Sequence, residues 1–252
     1  MNKRRIYLYV PIILILLVFG GFSIWAYTPL GPMPETNAAL ISDGQVRVEP
    51  QGDWWVFSPD SGEVSTGFIL YPGGRVDWRS YAPLAKAIAQ NGLFVALVPM
   101  PFNLAVFSPQ KGLDVIRSNP QIRFWAIGGH SLGGAMAANF VYQNPGLVQG
   151  LVLWASYPAD NNPLSNVPVK AISIYGSEDG LATVDVVKAS QSLLPADTRW
   201  VEIAGGNHAQ FGWYGNQPGD GEALINREDQ QLIVVAETVR FLKQISFNGV
   251  EQ

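Results

Sequence analysis

A serine stands at the centre of Gly129-His130-Ser131-Leu132-Gly133, which has the spacing G-x-S-x-G. The apolar stretch FWAIGG (124–129) runs directly into it, and SLGGAMAANFVYQ continues from it with apolar residues at helical spacing. A serine in so sharp a strand-to-helix turn is exposed above a helix N-terminus, a setting that suits attack on an acyl carbonyl. A hydroxyl needs a base to take its proton before it becomes a useful nucleophile. The chain has only two histidines. His130 adjoins Ser131, where its own geometry is expected to keep it from bridging to that hydroxyl. This leaves His208, in Gly205-Gly206-Asn207-His208-Ala209 directly after the run TRWVEIA (198–204).

An imidazole acting as base needs an acid to set its tautomer and stabilise its charged form. Strand VKAISIY (169–175) is followed by Gly176-Ser177-Glu178-Asp179-Gly180, and Asp179 is the expected partner. Glu178 and Asp160 are the alternatives. The chain order Ser131, Asp179, His208 is one in which such residues occur. The oxyanion formed on attack needs two N–H donors. Leu132 is expected to supply one, and Gly74 or Arg75, in Pro72-Gly73-Gly74-Arg75, the other. Phe102 and Asn103, in the loop after the run FVALVP (94–99), are candidate substrate contacts, as are Phe211 and Trp213 beyond His208. Asp220 and Glu222 lack the spacing of a calcium loop and read as part of a solvated turn. With no cysteine in the chain, thiolate metal sites and cysteine nucleophiles are excluded, and no metal or cofactor is expected.

These residues need a frame that brings them together. TGFILY (66–71), FVALVP, FWAIGG, GLVLWA (150–155), VKAISIY and TRWVEIA are nearly continuous apolar runs, separated by helical patterns. Strands without polar alternation indicate a mostly parallel sheet covered on both faces by helices, an α/β fold. VRV (46–48) and WWVF (54–57) read as a leading antiparallel pair, and residues 227–245 as a long closing helix. Parallel sheets carry their sites at the C-terminal ends of the strands, where each candidate falls. Between Ala155 and Val169 there is room for a loop only, so no sizeable cap domain is expected and the pocket should be shallow.

Residues 6–27 contain no charge, follow Lys3, Arg4 and Arg5, and have aromatic residues at both ends. As a helix they would span roughly 33 Å, enough for a bilayer core. They read as one N-terminal transmembrane signal anchor, with the N-terminus cytoplasmic and the rest of the chain extracytoplasmic. A cleaved signal and a secreted product is the alternative. Residues 28–40 include three prolines within nine residues and read as a semi-extended spacer, leaving residues 41–252 as the folded domain. The net charge of −4 combines this basic tip with a remainder at −7, and the scattered basic residues argue against nucleic acid as a partner.

The series YPGG, MPFNLA, GGHSLGG, GSEDGLA, GGNHAQFGWYG and GD resembles the α/β-hydrolase superfamily over nearly all of residues 42–247. More narrowly it is similar to a bacterial group of small, membrane-tethered α/β hydrolases related in fold to dienelactone hydrolase. The resemblance implies a Ser-Asp-His triad at Ser131, Asp179 and His208. Pro72 replaces the histidine common before the oxyanion glycine, and serine replaces the cysteine nucleophile of dienelactone hydrolase, which argues against dienelactones. The expected activity is hydrolysis of small to medium carboxylic esters through an acyl-enzyme. An acyltransferase with the same triad, or a non-catalytic envelope binding protein on this scaffold, are the alternatives.

Overall fold

The computed structural model describes residues 3–247, with side chains from residue 11 to residue 245. Eight strands form one sheet: β1 (Val46–Gln51), β2 (Trp54–Pro59), β3 (Thr66–Tyr71), β4 (Phe94–Leu97), β5 (Phe124–His130), β6 (Gly150–Trp154), β7 (Lys170–Gly176) and β8 (Arg199–Ile203). Their order is β1-β2-β4-β3-β5-β6-β7-β8. β2 runs antiparallel to β1 and β4, and the five remaining neighbour pairs are parallel.

The unbroken apolar runs have two faces to serve. In β3, Phe68 and Leu70 enter one core while Ile69 and Tyr71 enter the other, as the period of two requires. β6 repeats this, with Val152 and Trp154 on the first face and Leu151 and Leu153 on the second. Helices α3 (Ala82–Ala89) and α7 (Arg227–Phe247) cover the first face; α4 (Gly112–Ser118) and α5 (Leu132–Gln143) cover the second. Burying side chains such as Phe68, Trp154 and Phe140 completely contributes roughly 1.5–3 kcal/mol each. A short helix α6 (Val184–Ala189) links β7 to β8. No helix or strand lies between β6 and β7, as expected for a fold without a cap.

The chain leaves β3 towards β4 on one side and leaves β5 towards β6 on the other. The C-terminal ends of β3 and β5 therefore flank a switch point, where an open α/β sheet leaves a crevice.

The N-terminal segment differs from the sequence reading in one respect. Residues 28–40, expected as a semi-extended spacer, make hydrogen bonds to the folded domain. Leu30 N–H donates to the Arg75 carbonyl at 2.8 Å and Met33 N–H to the Trp213 carbonyl at 2.8 Å. A single helical turn, α2 (Thr36–Ala39), buries Thr36 and Ala39. Prolines disfavour long helix but leave carbonyls and apolar side chains free to dock. Helix α1 (Lys3–Tyr27) precedes this segment. The expected span over residues 6–27 begins among residues whose side chains lie outside those described. Among the described residues no helix is long and apolar enough to cross a membrane.

Candidate active site

Ser131 occupies the turn between β5 and α5 with φ 53° and ψ −124°. A positive φ is unusual for a residue with a side chain and costs about 1–3 kcal/mol, so it persists only where its surroundings enforce it. Here they do. Ser131 N–H donates to the Trp154 carbonyl at 2.9 Å, and its own carbonyl accepts from Ala135 N–H at 3.1 Å and from Ser156 Oγ at 2.7 Å. The turn also needs its glycines. A Cβ on Gly133 would collide with the carbonyl oxygens of Tyr71 and Pro72, and one on Gly129 with that of Tyr71.

Five described residues other than glycine have positive φ: Arg75, Phe102, Asn103, Ser131 and Ala155. All five follow the C-terminal ends of β3, β4, β5 and β6. Backbone strain is thus concentrated around the switch point, which is where a site would store it.

Asp179 and His208 meet across the ends of β7 and β8. Asp179 Oδ2 lies 2.8 Å from His208 Nδ1, and both side chains are buried. The other carboxylate oxygen accepts from the N–H groups of Leu181 at 2.8 Å and Ala182 at 2.7 Å, which fixes the acid. An ionised carboxylate only accepts, so Nδ1 carries the proton and Nε2 keeps a lone pair. His208 Nε2 has no partner among the described residues. Glu178 instead accepts from Ser177 Oγ at 2.8 Å, and Asp160 is exposed on the loop after β6.

The His208 loop is held from two sides. From α7, Gln230 accepts from Asn207 N–H at 3.0 Å and donates to the Asn207 carbonyl at 2.8 Å. From the loop before α7, Asp220 accepts from His208 N–H at 3.1 Å and Ala209 N–H at 2.8 Å. It also accepts from Gly180 N–H at 3.2 Å, beside Asp179. Asp220 thus ties the Asp179 loop to the His208 loop, where the sequence predicts only a solvated turn. Its only local signal is its place between Gly219 and Gly221 shortly after His208.

Residues 67–232 match the alpha/beta hydrolase family, from β3 into the last helix. The chain belongs to that family. No curated protein matches it.

In this alpha/beta hydrolase, Ser131 and His208 line one cleft of about 310 Å³ with Leu132, Ala135, Ala155, Ser156, Tyr157, Ala159, Leu181 and Ala182. That is near the lower end of small-molecule pockets. Leu132 N–H, at the start of α5, and Gly74 N–H have no protein acceptor among the described residues. The two residues are neighbours: a Cβ on Gly74 would lie 2.9 Å from Leu132 Cδ2. Arg75 is different. Its N–H donates to the Asn103 carbonyl at 2.8 Å, so of the two expected donors on this loop only Gly74 is free.

The four expected substrate contacts lie elsewhere. Phe102 packs against Phe22, Tyr27 and Phe107, and Asn103 Nδ2 donates to the Ala26 carbonyl at 2.9 Å. Phe211 is fully buried and stacked on His130 at 5.6 Å. Trp213 donates from its indole to Gln231 and packs under Arg227. Each falls in a loop near a strand end, as expected, but the chain's return path turns these side chains onto other protein surfaces.

Proposed function

We propose that this protein is a serine hydrolase that cleaves small to medium carboxylic esters through an acyl-enzyme. The observation that carries this reading is the bond from His208 to Asp179, which leaves Nε2 unpartnered beside the cleft that a strained Ser131 also lines. His208 Nε2 takes the hydroxyl proton as Ser131 Oγ attacks the ester carbonyl. Leu132 and Gly74 N–H groups receive the oxyanion. As the carbonyl re-forms, the C–O bond to the alcohol breaks and the imidazolium returns its proton to the leaving oxygen. Water then repeats the sequence on the acyl-serine and releases the acid. Asp179 stays ionised and stabilises the imidazolium throughout.

The cleft has no charged side chain besides the ionisable His208 along its lining, which favours an uncharged acyl group. Its size and the absence of a cap favour short acyl chains.

A fluorophosphonate probe tests the reading. The wild type is expected to label and Ser131→Ala not to, with ester turnover falling by about 10³-fold or more. An unlabelled wild type, beside a control esterase that labels, would leave the binding-protein alternative standing. Transfer of the acyl group to added alcohols in preference to water would reassign the activity to acyl transfer.

The same reading anchors the chain in a membrane through residues 6–27 and places the hydrolase domain outside the cytoplasm. It is supported by 22 uncharged residues behind a basic tip, and by the exposure of the apolar side chains from Ile12 to Phe19.

A further inference from the structure

A second imidazole lies behind the base. His130 is fully buried, with its ring centroid 4.4 Å from that of His208. Its Nδ1 is 2.8 Å from Tyr81 Oη, and Gly73 N–H donates to the same phenol at 3.0 Å. A phenol has a single proton. Burial pushes the Tyr81 pKa far up, so that proton stays in place. With its oxygen accepting from Gly73, Tyr81 donates to His130. Nδ1 is then an acceptor, and a neutral His130 carries its proton on Nε2, which has no partner among the described residues. Burial first, and His208 beside it, hold the His130 pKa well below its usual value, against a weaker opposite pull from the His208 backbone. The remaining rings facing His130 are Phe211 and Tyr214, neither of them charged. Asp179 is hydrogen-bonded to Nδ1 of the neighbouring His208.

We propose that Tyr81 and His130 are positioning residues that couple the oxyanion loop to the base. The relay runs from Gly73, next to the donor Gly74, through the phenol to the imidazole packed on His208. The fit is close: a Cβ on Gly73 would lie 2.7 Å from both Tyr81 Oη and His130 Nδ1. A neutral ring in this place tolerates the charge that His208 acquires when Ser131 attacks, whereas a charged ring at this distance would oppose it. A shift in either partner moves the oxyanion donor and the base together. The proposal rests on the reading of Ser131 as nucleophile and His208 as base.

The test is steady-state hydrolysis of a short chromogenic ester by the full chain, with Tyr81→Phe, His130→Phe and His130→Asn. Tyr81→Phe and His130→Phe are expected to lower kcat roughly 10–100-fold with KM changed by less than about twofold, as small misplacements of catalytic groups do. His130→Asn places an oxygen near the former Nδ1 and should recover most of that loss. The double variant Tyr81→Phe/His130→Phe should lose no more than the worse single one, since both break one relay. The kcat/KM–pH profile should show one acidic titration, in wild type and His130→Asn alike. Unchanged kcat accompanied only by a lower Tm would overturn the proposal, as would additive losses, or a second acidic titration that disappears in His130→Asn. If His130→Phe does not fold, Tyr81→Phe and His130→Asn decide the question. A wild type that fails to label with fluorophosphonate defeats the functional reading; a labelled wild type with indifferent variants defeats this proposal alone.

Discussion

At the scale of single residues, the candidate site is built from side chains that hold backbone as much as from the proposed triad. Asp220 is the clearest case. Its carboxylate accepts N–H groups from the loops of both Asp179 and His208. Hydrogen bonds to a charged acceptor are worth about 1.5–3 kcal/mol each, and deleting the acceptor leaves several donors without a protein partner. Asp220→Ala is therefore expected to lower kcat about tenfold or more, with a smaller loss in Asp220→Asn, which keeps one acceptor oxygen. Ester turnover measured below the unfolding temperature checks this. Full activity in Asp220→Ala would mean that Gln230 and the contacts between the two loops suffice. The flanking Gly219 and Gly221 fit a solvated turn as well as a clamp. The distinction appears only when residues 40 positions apart, Gly180 and Asp220, meet.

At the scale of elements, the junction of β5 with α5 is where backbone packs closely against the end of β3. Glycines at 129 and 133 let the helix start against the end of β3, so that Leu132 and Gly74 come side by side. Gly133→Ala forces a methyl group into the Tyr71 and Pro72 carbonyl oxygens. Backbone cannot yield as a flexible side chain can. A loss of about 2 kcal/mol or more is expected, at or above the usual cost of overpacking. Gly44, with open space around it and no positive φ, serves as the control, and Gly44→Ala should stay within about 0.5 kcal/mol. Urea unfolding midpoints compare the two, and equal midpoints would show that α5 can shift away from β3. This junction was legible in the sequence because its signals are local: an apolar run, a glycine-flanked serine and a helical pattern in direct succession. The loop at residues 101–107 was placed correctly after β4, yet its side chains serve α1. Local pattern says where a loop begins but not what its side chains meet.

At the scale of the whole molecule, the N-terminal helix and the Pro72–Arg75 loop are joined. Arg75 donates to the Trp25 carbonyl at 3.0 Å and to the Thr28 carbonyl at 3.0 Å, and its guanidinium lies 4.3 Å from the Trp25 ring centroid. Asn103 adds the Ala26 carbonyl. These are acceptors that the end of a helix leaves unpaired, and here loops of the site satisfy them. The proposed anchor is thus continuous with the domain rather than flexibly linked to it. Expressed in a bacterium, the full chain is expected to remain in the membrane fraction through alkaline carbonate extraction, with its N-terminus retained. Recovery in the soluble fraction with a start near residue 28–40 would instead support a cleaved signal.

The sequence by itself determined the order of strands and helices and the parallel character of the sheet, and it singled out Ser131 and His208 as the proposed nucleophile and base. Unbroken apolar runs record burial on both faces, and two histidines leave little choice of base. Tertiary structure decided between Asp179, Glu178 and Asp160 as partner of His208, and between Gly74 and Arg75 as the free donor. It also turned Phe102, Asn103, Phe211 and Trp213 away from the cleft, and gave Asp220, Tyr81 and His130 their partners. Those outcomes depend on which loops the twisted sheet brings together at its C-terminal edge. Such distances arise between residues far apart in the chain, and no local pattern encodes them.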